Sequence, residues 1–144
     1  ESVYNGLSAV DEAVDFVLTH DGARPLVTTD LIENVIKQVK DYQAVITGVP
    51  LKNTVKVVNQ DQMVTNTPDR SKLVAVQTPQ GFAKKIIVEA YQQAQAEDIV
   101  GTDSSSLVER FGQPVKVVRG SYENLKITTP EDLDFAAKIL EMRQ

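Results

Sequence analysis

The sequence predicts an α/β fold in three layers, with a mostly parallel sheet between helices, and three observations carry that prediction. Short β-branched runs alternate with amphipathic helical stretches along most of the chain. The tetrad Thr129-Pro130-Glu131-Asp132 opens a final helix with a capping hydroxyl, Pro at the first helical position and acids in the first turn. The alternation breaks once, at two thin strands around the polar tetrad Asn59-Gln60-Asp61-Gln62, which read as a β-hairpin arm.

Val3, Leu7 and Val10 recur at helical spacing and precede an apolar strand at 14–19. Leu31, Ile32, Val35, Ile36 and Val39 mark an amphipathic helix that Thr29 or Asp30 can cap. A buried strand at 44–50 follows, ended by Pro50. The hairpin pairs 54–58 with 63–67; two strands are marginal alone in water, so it packs either against a second subunit or on its own domain. Leu73-Val74-Ala75-Val76 supplies a strand, Gln77-Thr78-Pro79-Gln80-Gly81 a loop, and Ala83, Ile86, Ile87, Ala90 and Tyr91 one face of a helix. Thr102-Asp103 can cap a short helix carrying Leu107, Val108 and Phe111. Strands are expected at 114–118 and 124–128, and the final helix should bury Leu133, Ala136, Ala137 and Leu140.

At 144 residues and 42% hydrophobic, the chain fits a single domain, with no internal repeat or linker. It has no cysteine, which excludes disulfides, thiolate metal sites and a thiol nucleophile. A net charge of -5 argues against a nucleic-acid surface, so any bound anion must be met by a local cluster of cations. No apolar run approaches the about 20 residues of a membrane span, and a cytoplasmic location is expected.

The densest chemistry follows the first strand, at His20-Asp21-Gly22-Ala23-Arg24-Pro25, where a carboxylate and a guanidinium stand at a strand's carboxyl end. Ligands bind at that edge of open α/β sheets. Asp21 reads either as an oxygen ligand for a divalent cation beside phosphates or as a turn residue ahead of Gly22. Arg24 offers a fork donor for phosphate or a surface salt bridge. His20 reads as a packed or hydrogen-bonded structural residue rather than a catalytic base. Lys126 faces solvent or reaches a pocket, since it alternates with Leu125 and Ile127. Thr54 and Arg70 mark the two bases of the arm, and Thr78 and Thr102 stand at loop-to-helix transitions, where hydroxyls cap helices or donate to anions. No Gly-rich phosphate loop occurs in these residues.

Seven segments in series resemble the 2-C-methyl-D-erythritol 4-phosphate cytidylyltransferase family: Ser2-Val3-Tyr4-Asn5-Gly6-Leu7, the turn at 20–25, Val49-Pro50-Leu51-Lys52-Asn53-Thr54-Val55-Lys56, Thr67-Pro68-Asp69-Arg70, Gln77-Thr78-Pro79-Gln80-Gly81-Phe82, Thr102-Asp103, and the run 123–133. The resemblance covers essentially the whole chain and implies a Rossmann-like nucleotidyltransferase sheet, present in part, with an arm at about 52–70. It further implies coupling of CTP to the polyol phosphate with release of pyrophosphate, in non-mevalonate isoprenoid biosynthesis. Catalysis would rest on positioning and charge neutralisation. On this likeness Lys126 and Asp21 are catalytic, with Asp21 also beside Mg2+. Arg24, Thr54, Arg70, Thr78 and Thr102 hold the polyol phosphate, and Ser2, Asp21, Gly22 and Lys126 meet the nucleotide. The family's arm crosses to a partner subunit, so a homodimer is implied. Gly22 stands where many members have Ala.

The family's Gly-rich CTP loop would precede Glu1, so the chain is read as the carboxy-terminal portion of one cytidylyltransferase domain, inactive by itself. The strand at 14–19 is then expected at a sheet edge, with self-association through that edge or the arm. Two other readings stand beside this one: ribitol-5-phosphate cytidylyltransferase, which the segments 53–56 and 102–107 resemble less, and a non-catalytic assembly module of the same fold.

Overall fold

The computed structural model describes residues 2–143. Helix α1 (Ser2–Ser8) leads to strand β1 (Phe16–Thr19), helix α2 (Thr29–Tyr42) and strand β2 (Ala44–Pro50). The arm contributes β3 (Val57–Val58) and β4 (Val64–Asn66), and a 3-10 turn at Arg70–Lys72 leads into β5 (Val74–Ala83). Helices α3 (Lys84–Ala96) and α4 (Ser104–Arg110), strand β6 (Lys116–Arg119) and helix α5 (Pro130–Met142) complete the chain.

Among the described residues the main sheet has the order β1-β5-β2-β6. Strands β1 and β2 both pair antiparallel with β5, and β2 pairs parallel with β6. Three strands therefore point one way and β5 runs against them, which makes the sheet mixed. Alternating side chains build the three layers: Val17 joins Leu7, Phe82, Ile87, Leu107 and Val108 on the α1, α3 and α4 side. Phe16 and Leu18 pack with Val35, Val39, Val45 and Val118 on the α2 side. Strand β1 is an edge of this sheet, as expected.

Helix α2 starts one residue earlier than its sequence signal. Its cap is Thr28, whose hydroxyl accepts from the Leu31 N–H at 3.4 Å, so Thr29 and Asp30 are helical rather than capping. Gln43, at φ 64, ends the helix with its N–H on the Val39 carbonyl. The arm forms as predicted but in its own two-stranded sheet, with Val57, Val58, Met63 and Val64 exposed. Asn59 Oδ1 accepts from the Asp61 and Met63 N–H groups and shapes its tip.

Three expectations are overturned. Residues 77–81 are not a loop: β5 runs unbroken to Ala83, and the ladder to β2 skips Thr78 and Pro79, because Ile46 pairs with Gln80 while Thr47 pairs with Gln77. A bulge accommodates a residue without an N–H, and pairing with β1 and β2 outweighs the local Pro/Gly signal. Thr78 accordingly lies within a strand, away from any helix start. Residues 124–128 form no strand; the Ile127 N–H reaches the Ala23 carbonyl at 2.8 Å, a tie to a turn rather than to a strand. Finally, α5 buries Ala136, while Leu133 and Leu140 are 58% and 50% exposed and Ala137 is exposed too. Periodicity identifies an apolar face but does not supply the surface that covers it. Among the described residues, no helix is long and apolar enough to cross a membrane.

Gly81 shows how closely the layers approach. A Cβ there would stand 2.9 Å from Val35 Cγ1 and 3.3 Å from Val39 Cβ, so only a glycine in β5 lets α2 lie this near. Gly81→Ala should destabilise the fold by roughly 1–3 kcal/mol through overpacking. Urea unfolding measures this, and an unchanged midpoint would contradict the packing described.

Candidate functional site

The turn after β1 is closed by the Arg24 N–H on the Asp21 carbonyl, at 3.0 Å. That turn brings the two side chains together: Arg24 Nε lies 3.2 Å from Asp21 Oδ2, and Lys126 Nζ approaches the same oxygen at 3.2 Å. The two cations are held differently. Arg24 is 11% exposed and its Nη1 also donates to the Asn124 carbonyl at 2.7 Å, whereas Lys126 is 47% exposed. One carboxylate between two cations leaves a unit of positive charge facing the cleft, in a chain whose net charge is -5.

Side-chain hydrogen bonds fix this turn to β5 and to the segment before α5. The Asp21 N–H donates to Thr78 Oγ1 at 2.9 Å, and the His20 ring touches both Thr78 Oγ1 and the Arg24 carbonyl. Buried Asn124 donates from Nδ2 to the Thr78 carbonyl at 2.8 Å, while its own carbonyl accepts from Arg24 and Gln77. His20 is thus the hydrogen-bonded alternative of its reading and not the packed one, since it is exposed.

The opposite wall is the start of α4. Asp103, not Thr102, is the cap: Oδ1 accepts from the Ser106 N–H at 2.8 Å, and Ser106 Oγ returns a bond to the Asp103 carbonyl at 2.8 Å. Burial resists ionisation of Asp103, yet bonds from Gln80 Nε2, the Ser106 N–H and Ser105 Oγ outweigh it and hold the carboxyl below the ordinary aspartate range.

Five residues singled out in the sequence line a single cleft of about 510 Å³: Asp21, Arg24, Thr78, Thr102 and Lys126. Gln80, Asp103 and Glu109 share it. A neighbouring cavity continues past Asp21, Thr78 and Asp103 to Tyr4 and Tyr91. Ser2 is the exposed first residue of α1, outside both cavities, though Val3, Tyr4 and Asn5 line the second. Gly22 is exposed in the turn; a Cβ there meets nothing within 4 Å, so Ala fits equally well. Thr54 and Arg70 stay at the base of the arm, where Arg70 Nη1 donates to the Lys52 carbonyl. Lys126 reaches the cleft from an unpaired segment rather than from a strand.

Sequence reasoning missed Gln80, Asp103 and Asn124 as parts of the site. The Asp103-to-Ser106 spacing is a legible capping pattern. Asn124 and Gln80 carried no periodic signal, because their roles depend on the bulge in β5. Among the described residues, no group of three His, Cys, Asp or Glu could hold a metal ion.

The family description "2-C-methyl-D-erythritol 4-phosphate cytidylyltransferase" matches residues 1–142. A curated protein of that name from Caldanaerobacter subterraneus subsp. tengcongensis is 52% identical over 139 residues, covering 96% of this chain and 61% of its own length. Another, from Clostridioides difficile, is 50% identical over all 144 residues and 60% of its own length. The chain thus spans about three fifths of these relatives. Among solved structures, the 4-diphosphocytidyl-2C-methyl-D-erythritol synthase of Anaerococcus prevotii superposes with a TM-score of 0.91 at 42% identity, over 97% of this chain and 63% of that one. The Thermus thermophilus cytidylyltransferase gives 0.86 at 31% identity, over 96% and 66%.

Asp103 yields a stability test. Asp103→Ala should cost about 0.5–2 kcal/mol at neutral pH through loss of the α4 cap. Because the folded carboxyl titrates below its ordinary value of 3.8, its ionised form contributes stability above that value and loses it as pH falls further. The stability gap between wild type and Asp103→Asn should therefore hold down to about pH 4 and narrow as unfolding is measured at lower pH.

Proposed function

Because the chain belongs to the 2-C-methyl-D-erythritol 4-phosphate cytidylyltransferase family, we propose that the intact protein joins CTP to 2-C-methyl-D-erythritol 4-phosphate. The products are the CDP-linked methylerythritol and pyrophosphate. The observation that carries this reading is Asp21 shared between Arg24 and Lys126 at the mouth of one cleft, a cation pair matched to phosphate.

In the proposed reaction an oxygen of the polyol phosphate attacks the α-phosphorus of CTP. The new P–O bond forms as the bond to the bridging oxygen breaks, and pyrophosphate leaves with the electron pair. Charge on the transferring group grows toward Lys126, whose ammonium exchanges Asp21 for phosphate oxygen without breaking any backbone bond. Arg24 is already held by Asn124 and so offers a fixed guanidinium, and in the same cleft Thr102 would donate its hydroxyl to the phosphate while the Thr78 oxygen would accept from a hydroxyl of the polyol. Ser2 and Gly22 would meet the nucleotide.

Asp21 suits a magnesium ion of the kind that takes one protein carboxylate and fills its other positions with water and substrate phosphate, since both ion pairs use Oδ2 and leave Oδ1 out of them. Such an ion would neutralise phosphate charge. The exposed apolar residues of the arm, Val57, Val58, Met63 and Val64, support a homodimer in which Thr54 and Arg70 serve the neighbouring site. The reading carries with it a cytoplasmic location, where CTP is available, and a role in isoprenoid biosynthesis.

The test is pyrophosphate release by the intact protein, dependent on both CTP and the polyol phosphate. Lys126→Met should lower kcat about 10²–10³-fold with the fold retained. Arg24→Lys, which cannot keep both the Asp21 and the Asn124 bond, should raise KM for the polyol phosphate. No transfer by the wild-type protein, or faster transfer to ribitol 5-phosphate, would overturn the reading.

A further inference from the structure

His20 stands where β1 ends, with both ring nitrogens engaged. Nε2 lies 3.1 Å from the Arg24 carbonyl oxygen, and because a carbonyl only accepts, that nitrogen carries a proton. Nδ1 lies 2.9 Å from Thr78 Oγ1. The Thr78 oxygen already accepts from the Asp21 N–H at 2.9 Å, so in a neutral ring its own proton goes to Nδ1. A single tautomer therefore closes a circuit from Asp21 through Thr78 and His20 to Arg24. The Thr78 carbonyl extends it to Asn124, two residues before Lys126.

Regular ladders do not position these groups. Thr78 sits in the bulge that β5 makes against β2, the turn at 20–25 lies outside any strand, and residues 124–128 are unpaired. The orientation of Asp21 depends instead on a few side-chain bonds, and His20 takes part in two of them.

We propose that His20 is a positioning residue for phosphoryl transfer: by accepting the Thr78 hydroxyl proton on Nδ1, it aims the Thr78 oxygen at the Asp21 N–H and fixes the Asp21 carboxylate between Arg24 and Lys126. This rests on the reading of the cleft as a cytidylyl-transfer site. His20 itself touches no reacting atom. It acts by keeping the Thr78 proton turned toward the ring.

Asn and Gln substitutions separate the two bonds, because the Asn amide overlays Nδ1 and the Gln amide overlays Nε2. In the intact protein, His20→Asn should keep kcat within about twofold of wild type, a difference the size of ordinary additivity error. His20→Gln and His20→Ala should lower kcat at least about tenfold with KM for CTP unchanged, as expected when a reacting group is misplaced. In a Thr78→Val background, none of the three should cost more than Thr78→Val alone.

The proposal falls if Asn is as damaging as Gln, or if His20 substitutions add fully to Thr78→Val. It also falls if His20→Gln tightens binding of the polyol phosphate, because Thr78 would then be giving its proton to substrate. Nitrogen-15 spectra supply a readout independent of turnover, in which His20 should show a protonated Nε2 and an unprotonated Nδ1 that responds to Thr78→Val. If the wild-type protein transfers no cytidylyl group but the spectra are as stated, the activity reading fails and the circuit stands. A proton on Nδ1 overturns the proposal whatever the activity.

Discussion

The whole cleft depends on β5 pairing with β1 on one side and β2 on the other while breaking step at Thr78 and Pro79. Paired without interruption, the strand would commit the Thr78 backbone to the ladder. The bulge leaves the Thr78 carbonyl to Asn124 Nδ2 and turns its hydroxyl to Asp21 and His20. Three segments distant in sequence meet at that residue. The two-sided pairing supplies rigidity, and the bulge supplies groups that a regular strand would not release.

The charges at the cleft are anchored to different degrees. An exposed ion pair is worth roughly 1 kcal/mol or less, so the bond between Lys126 and Asp21 can be exchanged for an incoming anion at little cost. Arg24, almost buried and bonded to both Asp21 and the Asn124 carbonyl, cannot leave so freely. The turn thus presents one fixed cation and one that can follow an incoming anion. Asp103 on the far wall keeps its charge because its oxygens are surrounded by donors, so the cleft has a cationic side at the turn and an anionic side at α4.

Much of this was legible in the sequence, and the failures share a cause. Helix α2 and strands β1 and β2 announce themselves because burial of their own side chains decides their form. The turn at 20–25 and Lys126 stand out because charged groups beside apolar runs need an explanation. The bulged half of β5 reads as a loop because Gln77-Thr78-Pro79-Gln80-Gly81 is full of turn residues, and only pairing with two distant strands overrides them. Residues 124–128 show the reverse, because alternation there suggests a strand while β6 is the strand that lies beside β2. For α5, the apolar stripe carries no information about a covering surface. In each case the missing information was a contact between segments far apart in sequence.

Asp21, Arg24 and Lys126 of the cleft collect where regular structure is absent. In the interior of a ladder the backbone groups are spent on neighbouring strands, and side chains alternate at fixed spacing. Asn124 escapes that restriction: lying before an unpaired segment, it can offer its carbonyl to Arg24 and Gln77 and its amide to Thr78 at once. Burial makes such a residue costly unless most of its groups are satisfied, which ties the Lys126 segment tightly at one end. The Ile127 bond to Ala23 ties the other end, and the Lys126 side chain projects between two anchors. A strand would have held the backbone more uniformly but would have fixed the ammonium to one face. Two point anchors hold the backbone and leave the half-exposed side chain free to exchange Asp21 for another anion.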